Sequence, residues 1–209
     1  MMTTPHLMQS SALDEETARS ELYGLLALCY YDQPTTEFIA NLRVAVTEAP
    51  SAGAFLEASW RNLVGVAREM TLEEIQSEYQ ALFGGIGKPE VYLYGSHFLS
   101  GFLNEKPLAR LRSDLTALGL ARDETMSETE DHVAYLCEVM RFLIAGEDAA
   151  ISNLMQQQKF FSAHLQPWIL LMCDDLQAHP KARFYSALGA LTSAFMGVET
   201  QGFDMMDAA

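Results

Sequence analysis

Residues Ser127–Gly146, SETEDHVAYLCEVMRFLIAG, decide the fold. Val133, Leu136, Cys137, Met140, Leu143 and Ile144 recur at helical spacing and form one broad apolar face. Ser127 stands three residues before Glu130, the capping-box spacing in which each side chain satisfies a free backbone N–H, so a helix is predicted to begin there. Gly146 is the expected stop, because glycine tolerates the left-handed conformation that follows many helix ends. At the amino-terminal end sit Glu128, Glu130, Asp131 and His132. At about 100° per residue, Asp131 projects away from the apolar face and His132 lies on its flank. An acidic cluster with one histidine, at the mouth of a helix built to be buried, is the most function-like feature of the sequence.

Upstream, the same period recurs. Ala18, Leu22, Leu25, Leu26 and Cys29 share a face between about Asp14 and Tyr31, and Asp32-Gln33-Pro34 breaks that helix. A second helix runs from Thr35-Thr36-Glu37 to about Val46, and a third carries Phe55, Leu56, Trp60, Leu63 and Val64. Thr71 and Glu74 form another capping box and open a helix through Phe83. Downstream, Pro107 suits the first turn of a helix ending at Gly119, and further helices are expected over Asp148–Leu165, from Trp168 to about Ala178, and over Ala182–Val198. The last of these carries Phe184, Leu188, Leu191 and Phe195. No stretch of the first half alternates with period two over a strand's length. The reading is an all-α fold, one domain over 1–209 with about nine to eleven helices, and 1–12 and 200–209 as loose tails. Residues 84–106 form a long central loop, dense in aromatics and a candidate hinge.

The composition limits the partners. A formal net charge of -15 disfavours nucleic acid and anionic membrane, whose phosphates need a basic footprint, and suits cationic partners. The three cysteines, Cys29, Cys137 and Cys173, are far apart in apolar stretches, which implies buried thiols in a reducing compartment. The start of the chain lacks a basic segment followed by an apolar run, and no apolar run is long enough for a membrane span, so a cytoplasmic protein is expected.

Several chemistries lack their residues. No histidine has a glutamate three positions before it, as a di-iron helical bundle requires. Lys88 after the glycines of the central loop is followed by Pro89, not Ser or Thr, so there is no phosphate-binding P-loop. Glu128 and His132, at i and i+4, are the one pair that could share a metal, and a solvated helix-end ion pair is the commoner meaning of that spacing. His164 at a helix junction is expected to bond a carbonyl or cap a helix end. With no argument for catalysis and no cofactor implied, a binding surface remains. Tyr79, Leu82 and Phe83 lie on one helix end, and Tyr92, Tyr94 and Phe98 lie in the loop. An apolar groove with an acidic rim there would suit a peptide that is basic at one end and apolar beyond it.

Four segments together carry a family resemblance. Glu130-Asp131-His132 after an acidic linker resembles the Glu-Pro-x-Asp-His signature of the TorD/DmsD redox-enzyme maturation chaperones. Aligned on Asp131-His132, Glu128 falls at the family's glutamate and Thr129 at its proline. Tyr79-Gln-Ala-Leu82-Phe83-x-Gly85 is similar to the family's aromatic-x-x-Leu-Phe-x-Gly segment, and Tyr94-Gly95-Ser96-x-Phe98-Leu99 to its aromatic-x-Ser-x-aromatic-Leu segment. His164-Leu165-x-Pro167-Trp168, followed by Phe184-Tyr185-x-Ala187-Leu188-Gly189, resembles its C-terminal pair. The resemblance implies an all-helical chaperone, not an enzyme, that binds the twin-arginine leader or the apoprotein of a molybdenum-cofactor oxidoreductase until the cofactor is inserted. Carried over by motif, the peptide-binding candidates are Tyr79, Leu82, Phe83, Tyr94, Ser96, Glu128, Glu130, Asp131 and His132. The acids are expected to meet the arginines and the aromatics the apolar segment, with His132 bracing the loop as the competing expectation. The family also implies weak guanine-nucleotide binding and either a monomer or a homodimer. The alternatives are a nucleotide- or small-molecule-binding regulatory domain, and a metal-dependent enzyme using Glu128 and His132.

Overall fold

The computed structural model describes residues 11–47, 55–84, 87–103, 105–123 and 126–207. Ten helices follow one another among them. They are α1 (Ser11–Tyr31), α2 (Thr36–Val44), α3 (Glu57–Glu69), α4 (Leu72–Phe83), α5 (Gly95–Ser100), α6 (Lys106–Ala117), α7 (Val133–Ala145), α8 (Leu154–His164), α9 (Ile169–Ala178) and α10 (Phe184–Asp207). No strand is present among the described residues; the one β-type contact is an isolated antiparallel bridge between Tyr94 and His132.

The apolar face read from the sequence places α7 at the centre. Val133, Leu136, Cys137, Met140, Leu143 and Ile144 are all buried, with α1 packed along one side and α8 along another. On the far side α9 and α3 pack against α10, whose Phe184, Leu188, Leu191 and Phe195 are buried as expected. The buried face of α1 is rotated from the sequence reading. Tyr23, Leu26, Ala27 and Tyr30 carry it, while Ala18 is exposed. Two tyrosines can turn inward because their hydroxyls find partners there: Tyr23 donates to Glu199 at 2.9 Å, and Tyr30 lies 2.9 Å from Thr192 Oγ1. The three cysteines are free and buried, and burial pushes the thiols of Cys29, Cys137 and Cys173 up, away from the reactive thiolate.

The helix ends correct the sequence reading in several places. The Thr71–Glu74 box forms: Thr71 Oγ1 accepts from Glu74 N at 3.2 Å, and Glu74 Oε2 accepts from Thr71 N at 2.7 Å. The Ser127–Glu130 box does not. The helix starts six residues later, with His132 as its cap. Its stop is Gly146, though not in the left-handed region (φ −68°). A Cβ there would lie 2.7 Å from the Phe142 backbone carbonyl oxygen and would also meet Ser152 Oγ, so close approach, not conformation, demands the glycine. Asn153 caps α8, which begins at Leu154, well past the expected Asp148. The helix predicted to stop at Val198 continues to Asp207, because Phe203 is buried against Phe161 (5.2 Å between ring centres). Ser11 already belongs to α1, so the expected tails shrink from both ends; residues 1–10, 208 and 209 lie outside the described residues. Phe55, expected in the core, is exposed. Within the central loop, α5 forms and Val91, Leu93, Gly95 and Ser96 are buried.

A buried clasp between the central loop and the central helix

The sequence motifs meet in pairs, and each meeting fastens the central loop to the bundle. Before the loop, Leu82 O accepts from both Glu90 N (2.9 Å) and Val91 N (3.0 Å), which folds the chain back over the end of α4. There Tyr79 and Phe83 pack on Tyr185, with ring centres 5.8 and 4.9 Å away, so the first motif meets the last. Leu82 is fully buried beneath them. Buried Glu78 completes the joint: its Oε1 accepts from Arg183 N (2.9 Å) and Tyr185 N (2.7 Å), and its Oε2 from Phe184 N (3.1 Å). A carboxylate thus holds the free N–H groups at the start of α10. Neither length nor periodicity singled out Glu78, which sits among polar residues of α4.

After Tyr92 the loop meets α7. Val133 N donates to Leu93 O at 2.8 Å and Gly95 N to Asp131 O at 2.9 Å, forming the bridge between Tyr94 and His132. This pairing explains the late start of α7. Residues 128–131 bend and turn into this bridge, with His132 N donating to Thr129 O at 3.0 Å, and so are not part of the helix. Asp131 therefore turns inward, contrary to the helical projection, and is only 3% exposed. Its Oδ2 accepts from Ser96 N at 2.9 Å, capping α5, and its Oδ1 from Thr129 Oγ1 at 2.6 Å. His132 is equally buried, and its Nδ1 accepts from Ala134 N at 3.2 Å. Burial pulls His132 down to about 4, against the opposing pull of Glu128 and Asp131, so the imidazole is neutral at pH 7 and free to act as an acceptor. The His132 side chain thus caps its own helix, and it meets the loop through edge-on ring packing with Tyr94 and not through the expected hydrogen bond.

The outer acids are also engaged. Arg112 of α6 grips Glu130 with two bonds of 3.0 and 2.9 Å. Burial works against the charged form of Glu130 and the guanidinium outweighs it, leaving the carboxyl below its ordinary range. Tyr94 donates its hydroxyl to Glu128, and Arg122 Nη1 donates to Glu128 O at 2.9 Å. Burial and Glu128 together push the Tyr94 phenol up. No group of three or more metal-ligating side chains occurs among the described residues, and Glu128 and His132 are each turned to other partners.

The clasp has two outer faces. On one, the His132 ring is bordered by Tyr94 (5.0 Å), Tyr31 (6.5 Å) and Tyr135 (6.4 Å), and Tyr79 donates to Tyr31 O at 3.0 Å. Tyr31 and Tyr135 wall an apolar cleft of about 450 Å³ between α1, α2 and α7. On the other face, Gly95, Ser96 and Asp131 line a pocket of about 380 Å³ closed by His164, Pro167 and Trp168, with Lys106 and Arg110 at its edge. Phe98 stacks on Trp168 at 5.5 Å, and Trp168 Nε1 donates to His164 O at 2.6 Å; the carbonyl contact expected of the His164 side chain does not form. The His164 ring instead bonds Asp114 Oδ2 at 2.9 Å. A Cβ on Gly95 would fall 3.0 Å from the Trp168 indole nitrogen, which is why a glycine opens α5. The Ser96 hydroxyl, fully buried, has no hydrogen-bond partner among the described residues.

An all-helical chain whose motifs lock an inner loop to a central helix matches the fold of an Archaeoglobus fulgidus protein assigned to redox enzyme maturation and known from a crystal structure. The TM-score is 0.54 at 17% identity, covering 96% of this chain and 98% of that one. Sequence comparison agrees. The chain is 25% identical over 194 residues to the chaperone protein TorD of Vibrio cholerae serotype O1, spanning 85% of this chain and 88% of that protein. It is 22% identical over 234 aligned positions to the TorD chaperone of Colwellia psychrerythraea, spanning 94% and 97%. The family described as the nitrate reductase delta subunit matches residues 49–174. The chain belongs to this family, that of the TorD chaperones, whose members are maturation proteins and not catalysts.

Proposed function

We propose that this protein is a cytoplasmic chaperone that binds the twin-arginine leader, the apoprotein or both, of a molybdenum-cofactor oxidoreductase, assisting cofactor insertion and holding the client back from export. The observation that carries the reading is the exposed side of the clasp, where part-exposed Tyr79, Tyr94 and Glu128 adjoin an apolar cleft in a strongly acidic chain. Such a surface suits a segment with a basic start and an apolar continuation. Phe83, also part-exposed, extends the aromatic surface. Leu82, Ser96, Glu130, Asp131 and His132 serve it from within, as the clasp that shapes it. The test is affinity capture from lysate of the source organism with the wild-type chain, with bound proteins identified by mass spectrometry. Recovery of a twin-arginine molybdoenzyme precursor is the expected result. No recovery from cells shown to express such precursors overturns the reading.

A second reading, a small anionic ligand such as a guanine nucleotide, is favoured by the pocket beneath the clasp. Lys106 and Arg110 at its edge have no ion-pair partner among the described residues, and the Ser96 hydroxyl is unpartnered. GTP in large excess would then raise the melting temperature by mass action, and an Arg110→Gln variant would lose that rise.

A further inference from the structure

We propose that the client's leader is gripped in the groove between α1, α2 and α7, and not by the acids of the clasp. The proposal rests on the chaperone reading above and says where that partner sits. Its starting point is that the clasp acids are already bonded: Asp131 to Ser96 and Thr129, Glu130 to Arg112, Glu128 to Tyr94. For an incoming arginine to pair with Asp131 it would have to displace a buried backbone bond. In the groove the obligations are lighter: Glu138 pairs with Arg141 at 3.3 Å on the exposed surface and Asp32 accepts from the adjacent Gln33 N at 2.6 Å, while Glu16, Glu21 and Glu37 have no ion-pair partner among the described residues.

The groove consists of two adjoining clefts. The first, already described, is floored by Leu28, Tyr31, Phe38 and Tyr135 and rimmed by Asp32, Glu37 and Glu138. The second, about 670 Å³, continues along α1 and α7 and shares Leu28 and Glu138 with the first. It adds Leu25 and Ile144 as apolar floor and Glu16 and Glu21 as rim. On α1 the groove follows Thr17, Ser20, Gly24, Leu28 and Tyr31, one helical stripe turned away from the core face of Tyr23, Leu26 and Tyr30. From Thr17 to Tyr31 the stripe is about 21 Å long, room for about fourteen residues of helix or about six of extended chain.

Charge complementarity selects the occupant. Five carboxylates line the two clefts against one cation, Arg141, which is already paired with Glu138 at 3.3 Å. Glu16, Glu21, Asp32 and Glu37 have no ion-pair partner among the described residues. At the junction of the clefts Leu28 is 65% exposed, a large apolar side chain held in water in the middle of an acidic rim. A segment with adjacent arginines and an apolar run covers Leu28 and neutralises the rim together. The apolar run lies over Leu28, Phe38 and Tyr135, and the arginines reach the more polar second cleft at Glu21 and Glu138.

The test uses the full chain and dye-labelled synthetic leaders of the source organism's own molybdoenzymes, with binding read by fluorescence anisotropy. Leu28→Lys, at an exposed site that leaves the fold intact, is expected to weaken binding at least about tenfold by removing apolar cover and adding a repelling charge. Glu21→Gln/Glu138→Gln is expected to weaken it about three- to tenfold and to flatten its salt dependence. The charge-matched pair Asp174→Asn/Asp175→Asn, on the exposed side of α9, is expected to leave it unchanged. If a leader binds the wild type and both groove variants bind within twofold of it, the groove assignment is overturned and the chaperone reading stands. If no leader binds the wild type, the chaperone reading itself fails.

Discussion

Replacing Asp131 by alanine should loosen the protein before it touches any partner. The carboxylate is 3% exposed and accepts from Ser96 N at 2.9 Å and Thr129 Oγ1 at 2.6 Å. A hydrogen bond to a charged acceptor contributes about 1.5–3 kcal/mol, and a buried N–H left without a partner costs about 1–3 kcal/mol. Ser96 is fully buried, so its amide has no water to turn to, whereas part-buried Thr129 can recover some of its loss. The expected destabilisation is about 3–4 kcal/mol. For a chain of this size about 2–4 °C of melting temperature accompanies each kcal/mol, which gives a fall of about 6–16 °C. Asp131→Asn separates charge from geometry. Its amide oxygen can keep the Ser96 bond, and its NH2 can donate to a turned Thr129 hydroxyl, so the loss shrinks to about 1 kcal/mol. Thermal unfolding followed by circular dichroism measures both, and hydrogen exchange localises the change. The Ser96 amide should lose protection, while the Gly95 amide, bonded to the Asp131 backbone, should lose less. An alanine variant that melts within about 2 °C of wild type would refute the clasp as a support. The practical consequence is that weaker client binding by an Asp131 variant does not by itself identify a contact.

Three further changes test the joints separately. His132 is neutral when folded, with its titration lowered to about 4 from an unfolded value near 6.5, so the unfolded state alone takes up its proton between those values. Stability from this group is complete above pH 6.5 and declines as pH falls towards 4, by about 3 kcal/mol at most, and His132→Asn, which can still cap α7, should flatten that part of a urea-unfolding pH profile relative to wild type. Glu78→Gln should cost about 2 kcal/mol, because one oxygen cannot replace two in holding the Arg183, Phe184 and Tyr185 amides; chemical denaturation reads it, and an unchanged midpoint would show that α10 needs no such anchor. Ser96→Ala should leave the melting temperature unchanged or raise it by up to about 1 kcal/mol equivalent, since a buried hydroxyl without a partner contributes nothing; a clear fall would reveal a partner for it.

What the sequence shows and what it hides divide along physical lines. Apolar periodicity is a local property of one helix, and it located the buried faces of α7 and α10 residue by residue. The Thr71–Glu74 box is also local, and it forms. Ser127 and Glu130 have the same spacing, yet no box forms. There the backbone had a better offer from Leu93 and Gly95, more than thirty residues away, and tertiary pairing overrode the local signal. Glu78 was invisible for a related reason. Its three donors lie more than a hundred residues downstream, and a glutamate in a helix otherwise reads as surface.

The candidate site shows the limit most clearly. A cluster such as Glu128, Glu130, Asp131 and His132 reveals its chemistry in sequence, because carboxylates attract cations wherever they stand. Whether those carboxylates are available is a question of neighbours. Here Ser96, Thr129, Arg112 and Tyr94 have answered it from within the chain. Glu16, Glu21, Asp32 and Glu37, scattered through α1 and its flank, look like an ordinary solvated face in sequence and only become a row when α7 lies beside them. Residues engaged within the fold have partners that must be lost before they can bind anything else, so each would bring that loss to every binding event. On the proposed reading, a chaperone that takes up and releases a client gains most from acids without an internal ion pair, and Glu16, Glu21 and Glu37 along the groove are such acids among the described residues.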